Sequence, residues 1–146
     1  MYEAFHEISG FDENSISIKA PNDIYMGTKK VAGILIELQT KGDQTRVIVG
    51  VGVNVFSAPK LDTSSFVAHY RKGDIDDCAW NGFLIEFYKR LKESIEFSIN
   101  KELSEQDCAD LLIALNKNPN LTEKYTQVLP DGSLKTGNKT ENWSSL

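Results

Sequence analysis

Apolar residues fall into two kinds of pattern along this chain. Between Ile16 and Val55 they come as short runs rich in Val and Ile, which suit a pleated strand. The first run stops at Pro21-Asn22-Asp23. Proline has no backbone donor and holds its neighbour extended, and Asn-Asp is turn chemistry. The second run is Val31 to Leu38 and the third Val47 to Val55, separated by Gln39 to Arg46, a polar loop containing Lys41-Gly42-Asp43. Neither long run alternates with polar residues, so the pair reads as a hairpin buried on both faces. Residues 16–24, 31–38 and 47–55 are therefore expected as adjacent strands of one mixed sheet.

Outside this region the spacing is helical. Tyr2, Phe5 and Ile8 share a face opposite Glu3 and Glu7, with Gly10 at a stop position, so Met1 to Ile8 reads as the end of a helix. Phe56 to Asp77 holds Pro59, Gly73 and several Ser and Asp residues, and reads as a long connection with one helical turn at Phe66 to Tyr70. Asp76 or Asp77 then caps a helix over 77–99. Its core stripe is Trp80, Phe83, Leu84, Phe87, Leu91, Ile95 and Ile99, with Glu86, Lys89, Arg90, Lys92 and Glu93 on the other side. Ser104-Glu105-Gln106-Asp107 has the form of a helix start, with Leu111, Leu112 and Leu115 inward and Asn116-Lys117-Asn118-Pro119 as the stop. Tyr125 to Leu129, the turn Pro130-Asp131-Gly132-Ser133 and Leu134 onward predict a small terminal hairpin that frays from Lys135.

Gly33, Gly50 and Gly52 interrupt the strands and bring no packing gain. Such glycines mark a bulge, an ordinary kink or the close approach of a ligand. Asn22, Asp23, Lys30 and Asn54 punctuate the same apolar region, the mixture a ligand pocket needs.

Composition narrows the class without naming a chemistry. The length of 146 residues suits one domain, or part of one. The net charge of −5, from 21 acidic against 16 basic residues, argues against a main task of gripping DNA. No apolar stretch approaches the roughly 20 residues of a membrane span, and no signal-peptide core follows the start. Cys78 and Cys108 lack metal or redox spacing and read as reduced thiols of a cytoplasmic protein; His6 and His69 are isolated, so no metal site is expected.

Lys19-x-Pro21-Asn22-Asp23-Ile24, then Lys29-Lys30-x-Ala32-Gly33-Ile34-Leu35-Ile36-Glu37, then Gly50-x-Gly52-x-Asn54, together resemble the central motif series of bacterial biotin–protein ligases. Ala20 departs from the tryptophan common there, a change expected to affect packing near the turn. Lipoate ligases share the fold, but the complete Pro-Asn-Asp and Lys-Lys-x-Ala-Gly-Ile-Leu-Ile-Glu set favours biotin. The resemblance is close over Ile16 to Val55, follows by pattern to about residue 100, and fades afterwards. It implies an α+β fold of the class II synthetase type, a mixed sheet with helices on one face. The long helix before the first motif would match Met1 to Ile8, so the chain is expected to begin inside the catalytic domain. The family's glycine- and arginine-rich loop is then upstream, and no phosphate loop replaces it here. Residues 1–124 would be the C-terminal part of that domain. Residues 125–146 are too few for the family's terminal barrel and would form a hairpin or vestige of it.

The chemistry implied by the resemblance has two half-steps. The biotin carboxylate attacks the α-phosphate of ATP, giving biotinyl-adenylate and pyrophosphate; a carrier-protein lysine then attacks the activated carbonyl and expels AMP. The protein positions groups and offsets negative charge. The resemblance assigns Lys30 to the space between the biotin carboxylate and the α-phosphate, and Asp23 to orienting the acceptor lysine. Gly33 and Gly50 would let the biotin rings approach the backbone, with Leu35 on their apolar side. Asn22 would donate to phosphate, and Val53 and Asn54 would flank adenine. Mg2+ would arrive with the ATP phosphates, with no protein cage of its own. Biotin and a biotin carboxyl carrier domain are the implied partners, with a homodimer or a separately supplied N-terminal half as further ones. A noncatalytic binding protein that keeps only the sheet, and a lipoate-type transferase, are the competing readings.

Overall fold

The structure is a computed structural model and describes residues 1–6, 15–70, 72–98 and 102–142. Glu7, Ile8, Gly10 and Ile99, named above in or beside helices, lie outside the described residues.

The apolar runs form a four-stranded sheet in the order β1-β2-β3-β4, where β1 is Ile16–Lys19, β2 Asp23–Met26, β3 Lys29–Lys41 and β4 Gln44–Val53. The chain reverses at Ala20-Pro21-Asn22, where the Ala20–Pro21 peptide is cis, and β2 returns antiparallel to β1. The expected single strand 16–24 is thus two strands, and β2 separates β1 from β3. Asp23 and Ile24 belong to the returning strand, which Tyr25 and Met26 complete, because the turn closes at Asn22 rather than beyond Asp23. All pairs between named strands are antiparallel, and the parallel element is an isolated bridge between Lys30 and Ser64.

The hairpin is longer than its hydrophobic runs. Pairing extends to Lys41 opposite Gln44, so the polar stretch 39–46 is strand closed by two residues, not a loop. Gly42 makes this tight turn available by taking φ +60°, and the Thr40 and Thr45 hydroxyls meet at 3.1 Å across the strands. The hairpin is also not buried on both faces. Ile36 and Leu38 are 62% and 69% exposed, and Val47 is 59% exposed. An apolar run without alternation specifies that neither face is polar; it does not supply what covers them.

Helices cover the other end of the sheet. Ala4 and Phe5 of α1 (Tyr2–His6), Val67 of α2 (Val67–Tyr70) and Phe83 of α3 (Asp77–Ser98) are buried with Ile16, Ile24, Met26, Val31 and Ala32. Phe83 stacks between Phe5 and Trp80, at centroid distances of 4.8 and 5.1 Å. Asp76 caps α3, its carboxylate accepting from the Ala79 N–H at 2.8 Å. The stripe of α3 is only partly inward: Trp80 and Phe87 pack on the core, whereas Leu84 and Ile95 are 43% and 49% exposed. The helix bears apolar groups around more of its girth than its neighbours cover, with Ile85 and Tyr88 also exposed.

α4 (Glu105–Asn116) starts in a capping box, Ser104 Oγ accepting from the Asp107 N–H and Asp107 accepting from the Ser104 N–H, each at 3.1 Å. Leu115 is fully buried against Val128 and Leu134 of a second sheet, with Ile18 and Ala20 packed on the same cluster. That sheet has three antiparallel strands, β5 (Gln127–Val128), β6 (Leu134–Thr136) and β7 (Lys139–Glu141), so the expected hairpin gains a third strand and stays paired beyond Lys135.

Candidate active site

Three backbone devices bring the candidate residues towards one place on the sheet. The turn residue Asn22 is pinned to β3 in both directions: its carbonyl accepts from the Ile34 N–H at 2.9 Å, and its Nδ2 donates to the Ile34 carbonyl at 2.7 Å. The ladder between β2 and β3 carries an extra residue, with Asp23 opposite Gly33 and Ile24 opposite Ala32, but Tyr25 opposite Lys30. Such a bulge re-aims a side chain, and here the redirected one is Lys30. The segment after β4 runs alongside, the Lys30 N–H donating to the Thr63 carbonyl and the Ser65 N–H to the Lys30 carbonyl, both at 2.9 Å.

The result is an ion pair, with Lys30 Nζ 2.5 Å from Asp23 Oδ1. The lysine side chain is 43% exposed and the aspartate 16%, so the pair is reachable from solvent on the lysine side. Asp23 Oδ1 is buried and receives no hydrogen bond from the described residues, which leaves the ammonium as its compensating charge. Gly33 borders both groups. A Cβ at this position would stand 3.1 Å from Asp23 Oδ1 and 3.2 Å from Lys30 Cε and Nζ.

Beyond Gly33 the same face is low in relief. Gly33 pairs with Gly52 and Leu35 with Gly50, and paired residues of an antiparallel ladder share a face. Leu35 is 57% exposed, and a Cβ at Gly50 would only touch Leu35, at 3.7 Å. Asp23, Lys30, Gly33, Leu35 and Gly50 are therefore gathered on one surface, with Asn22 at its rim. Val53 is not among them, because it pairs with Ala32 and packs against the helix-covered core. Asn54 follows the end of β4, where its Nδ2 donates to the Ser65 carbonyl at 3.0 Å and its carbonyl accepts from the Val67 N–H. The carboxamides of Asn22 and Asn54 thus each commit a donor to the backbone.

Sequence reasoning missed the 59–65 segment. Thr63 and Ser65 flank Lys30 through main-chain groups, which leave no side-chain signature, and Lys29 Nζ donates to the Asp62 carbonyl. The cysteines are free and belong to α3 and α4. Burial, followed by the charges of Asp107 and Glu105, pushes the Cys108 thiol up, away from a reactive thiolate. Among the described residues no cluster of His, Cys, Asp and Glu could hold a metal ion, and no helix is long and apolar enough to cross a membrane. Chemically, the site offers one half-exposed cation, one shielded carboxylate and an open apolar floor. That set can neutralise an anion and orient an amine; it contains no evident nucleophile.

The fold is that of biotin protein ligases. The apo biotin protein ligase from Aquifex aeolicus superposes with a TM-score of 0.63 at 21% identity, over 96% of this chain and 68% of that one. The same enzyme in complex with biotin and ATP gives a TM-score of 0.59 at 24% identity, over 99% of this chain and 64% of that one. Residues 1–54 match the Biotin/lipoate A/B protein ligase family, which bears out the resemblance read from the motifs. The chain is 42% identical over 43 residues to the bifunctional ligase/repressor BirA of Escherichia coli (strain K12), and 51% identical over 43 residues to that of Bacillus subtilis (strain 168). Those 43 residues are 29% of this chain and 13% of each relative, so this sequence likeness covers a small part of either.

Proposed function

We propose that this chain takes part in ATP-dependent attachment of biotin to a carrier-protein lysine through biotinyl-5'-adenylate, and that it carries the second half of the active site. The observation that supports this best is the Asp23–Lys30 pair, standing beside Gly33 inside the stretch that matches the family. In the first half-step the Lys30 ammonium draws the biotin carboxylate and the ATP α-phosphate together; a compact cation suits two anions that must approach closely. In the second, the Asp23 carboxylate accepts a hydrogen bond from the incoming amine. Leu35 and Gly50 form the surface on which the biotin rings lie, with Gly33 at its edge beside the ion pair, and Asn22 at the rim faces the nucleotide side. Mg2+ would be carried by the nucleotide phosphates and would offset their charge, with no side chain of this chain assigned to it, and the carrier domain would approach over the exposed side of Lys30.

ATP–pyrophosphate exchange with biotin tests this reading, together with thermal stabilisation of the purified chain. A ligand that binds only the folded state raises the midpoint in proportion to its affinity. The 146-residue chain by itself is expected to show little exchange, and to be stabilised by biotin with ATP but not by lipoate. Stabilisation by lipoate alone would assign the site to the lipoate branch. No response to either acid would favour a noncatalytic role.

A further inference from the structure

We propose that Gly33 and Asp23 are positioning residues for Lys30: together they form a notch that holds its ammonium before any ligand arrives. On this view position 33 is kept free of a side chain for the lysine rather than for a ligand. Gly33 is not at positive φ, so an alanine there is conformationally permitted, and the constraint is one of space. The space is shared by three atoms of the pair itself, Asp23 Oδ1 at 3.1 Å and Lys30 Cε and Nζ at 3.2 Å from the missing Cβ. The other glycines of this face behave differently, since a Cβ at Gly50 meets only ordinary contact and one at Gly52 meets nothing within 4 Å.

The carboxylate side of the notch is built into the fold. Asp23 is the first residue of β2 and sits directly opposite Gly33, and the two hydrogen bonds between Asn22 and Ile34 fix that register from the adjoining turn. The lysine side is adjustable, with a long side chain 43% exposed. A rigid carboxylate, an open position and a flexible ammonium together set the direction of one charge. Without the notch, Lys30 samples the open surface and loses rotamer freedom only when a ligand arrives, at a cost in affinity. The link to biotin rests on the proposed function; the notch itself does not.

The test has two arms. In the first, the free chain is labelled with an amine-acylating reagent and each lysine is followed by mass spectrometry, with exposed Lys72 as internal control. Gly33→Ala and Asp23→Asn should each speed labelling of Lys30 by about two- to fivefold, as expected for freeing an ammonium from a partly exposed ion pair. The isosteric Asp23→Asn guards against a misfolded alanine variant. Unchanged Lys30 labelling in both would overturn the notch. In the second arm, biotin binding in the presence of ATP is measured by calorimetry for Gly33→Ala, Lys30→Ala and the double variant. If Gly33 acts through Lys30, its substitution weakens binding in the native background and adds nothing once Lys30 is alanine. Equal losses in both backgrounds would mean that Gly33 meets the ligand itself, which also overturns the proposal. Absence of biotin binding by the unsubstituted chain would count against the ligase reading alone, and the labelling arm would still decide the notch.

Discussion

Replacing Lys30 with alanine should separate the two neighbouring lysines by both stability and chemistry. Removal of the ammonium leaves Asp23 Oδ1, a buried oxygen with no other donor among the described residues, without its counter-charge. A buried polar group stranded in this way costs about 1–3 kcal/mol. Because the departing side chain is 43% exposed, water enters the space it leaves, and the lower end, about 1 kcal/mol, applies. For a chain of this length that corresponds to roughly 2–4 °C in melting temperature. Lys29→Ala removes a hydrogen bond to the Asp62 carbonyl, a neutral acceptor in an exposed loop, and should cost less. Urea melts of both variants and of Lys30→Ala with Asp23→Asn would measure this, and the second substitution should return much of the loss. In an enzyme competent for adenylation, Lys30→Ala should slow the chemical step by about 100- to 1000-fold while Lys29→Ala changes it little. Lys30→Arg should recover only part of the rate, because a planar fork does not reproduce a point charge. Equal losses for the two lysines, in stability and in rate, would refute the reasoning.

Two further outcomes concern the C-terminal half. Leu115→Ala, at a fully buried position between α4 and the second sheet, should cost about 2–5 kcal/mol, and hydrogen exchange should speed first at Thr126 and Leu129, whose amides pair with Lys135 and Ser133. The Ser104 side chain, and then its backbone N–H, hold the Asp107 carboxyl below the usual value. A lowered folded-state value adds stability above the unfolded one and loses it as pH falls through the folded one, so this contribution vanishes in acid. Ser104→Ala should cost about 1 kcal/mol near neutral pH and progressively less in strong acid, as followed by thermal melts across pH.

Much of this architecture was legible because local chemistry and tertiary fold agree. The Val and Ile runs are strands, Ser104 and Asp76 cap the helices expected of them, and the one-turn helix after Phe66 forms. What escaped was encoded by backbone rather than by side-chain type. Tyr25 and Met26 are too short a run to announce a returning strand, and Gly42 turns a polar stretch that reads as loop into paired strand. Exposure of Ile36, Leu38 and Val47 depends on what else packs there, which hydrophobicity does not specify. At the site, the residues with a motif signature came together on one face. Val53 was in the motif too, yet strand parity turns it to the core, and Asn54 lies just past the strand end with its carboxamide bonded to the Ser65 carbonyl.

A strand with one extra residue between two paired positions is out of phase with itself. On one side of Val31 the odd-numbered residues Gly33 and Leu35 face the ion pair; on the other it is the even-numbered Lys30. An unbulged ladder would place a lysine equally well two residues before the glycine instead of three. The spacing between these two residues is therefore not fixed by the strand, and a one-residue deletion there could preserve the lysine's aim. What such a deletion would sacrifice is Val31, which is fully buried in the core. The same irregularity that turns a charge towards the site seats an aliphatic side chain behind it, so selection on packing and selection on chemistry act on one insertion.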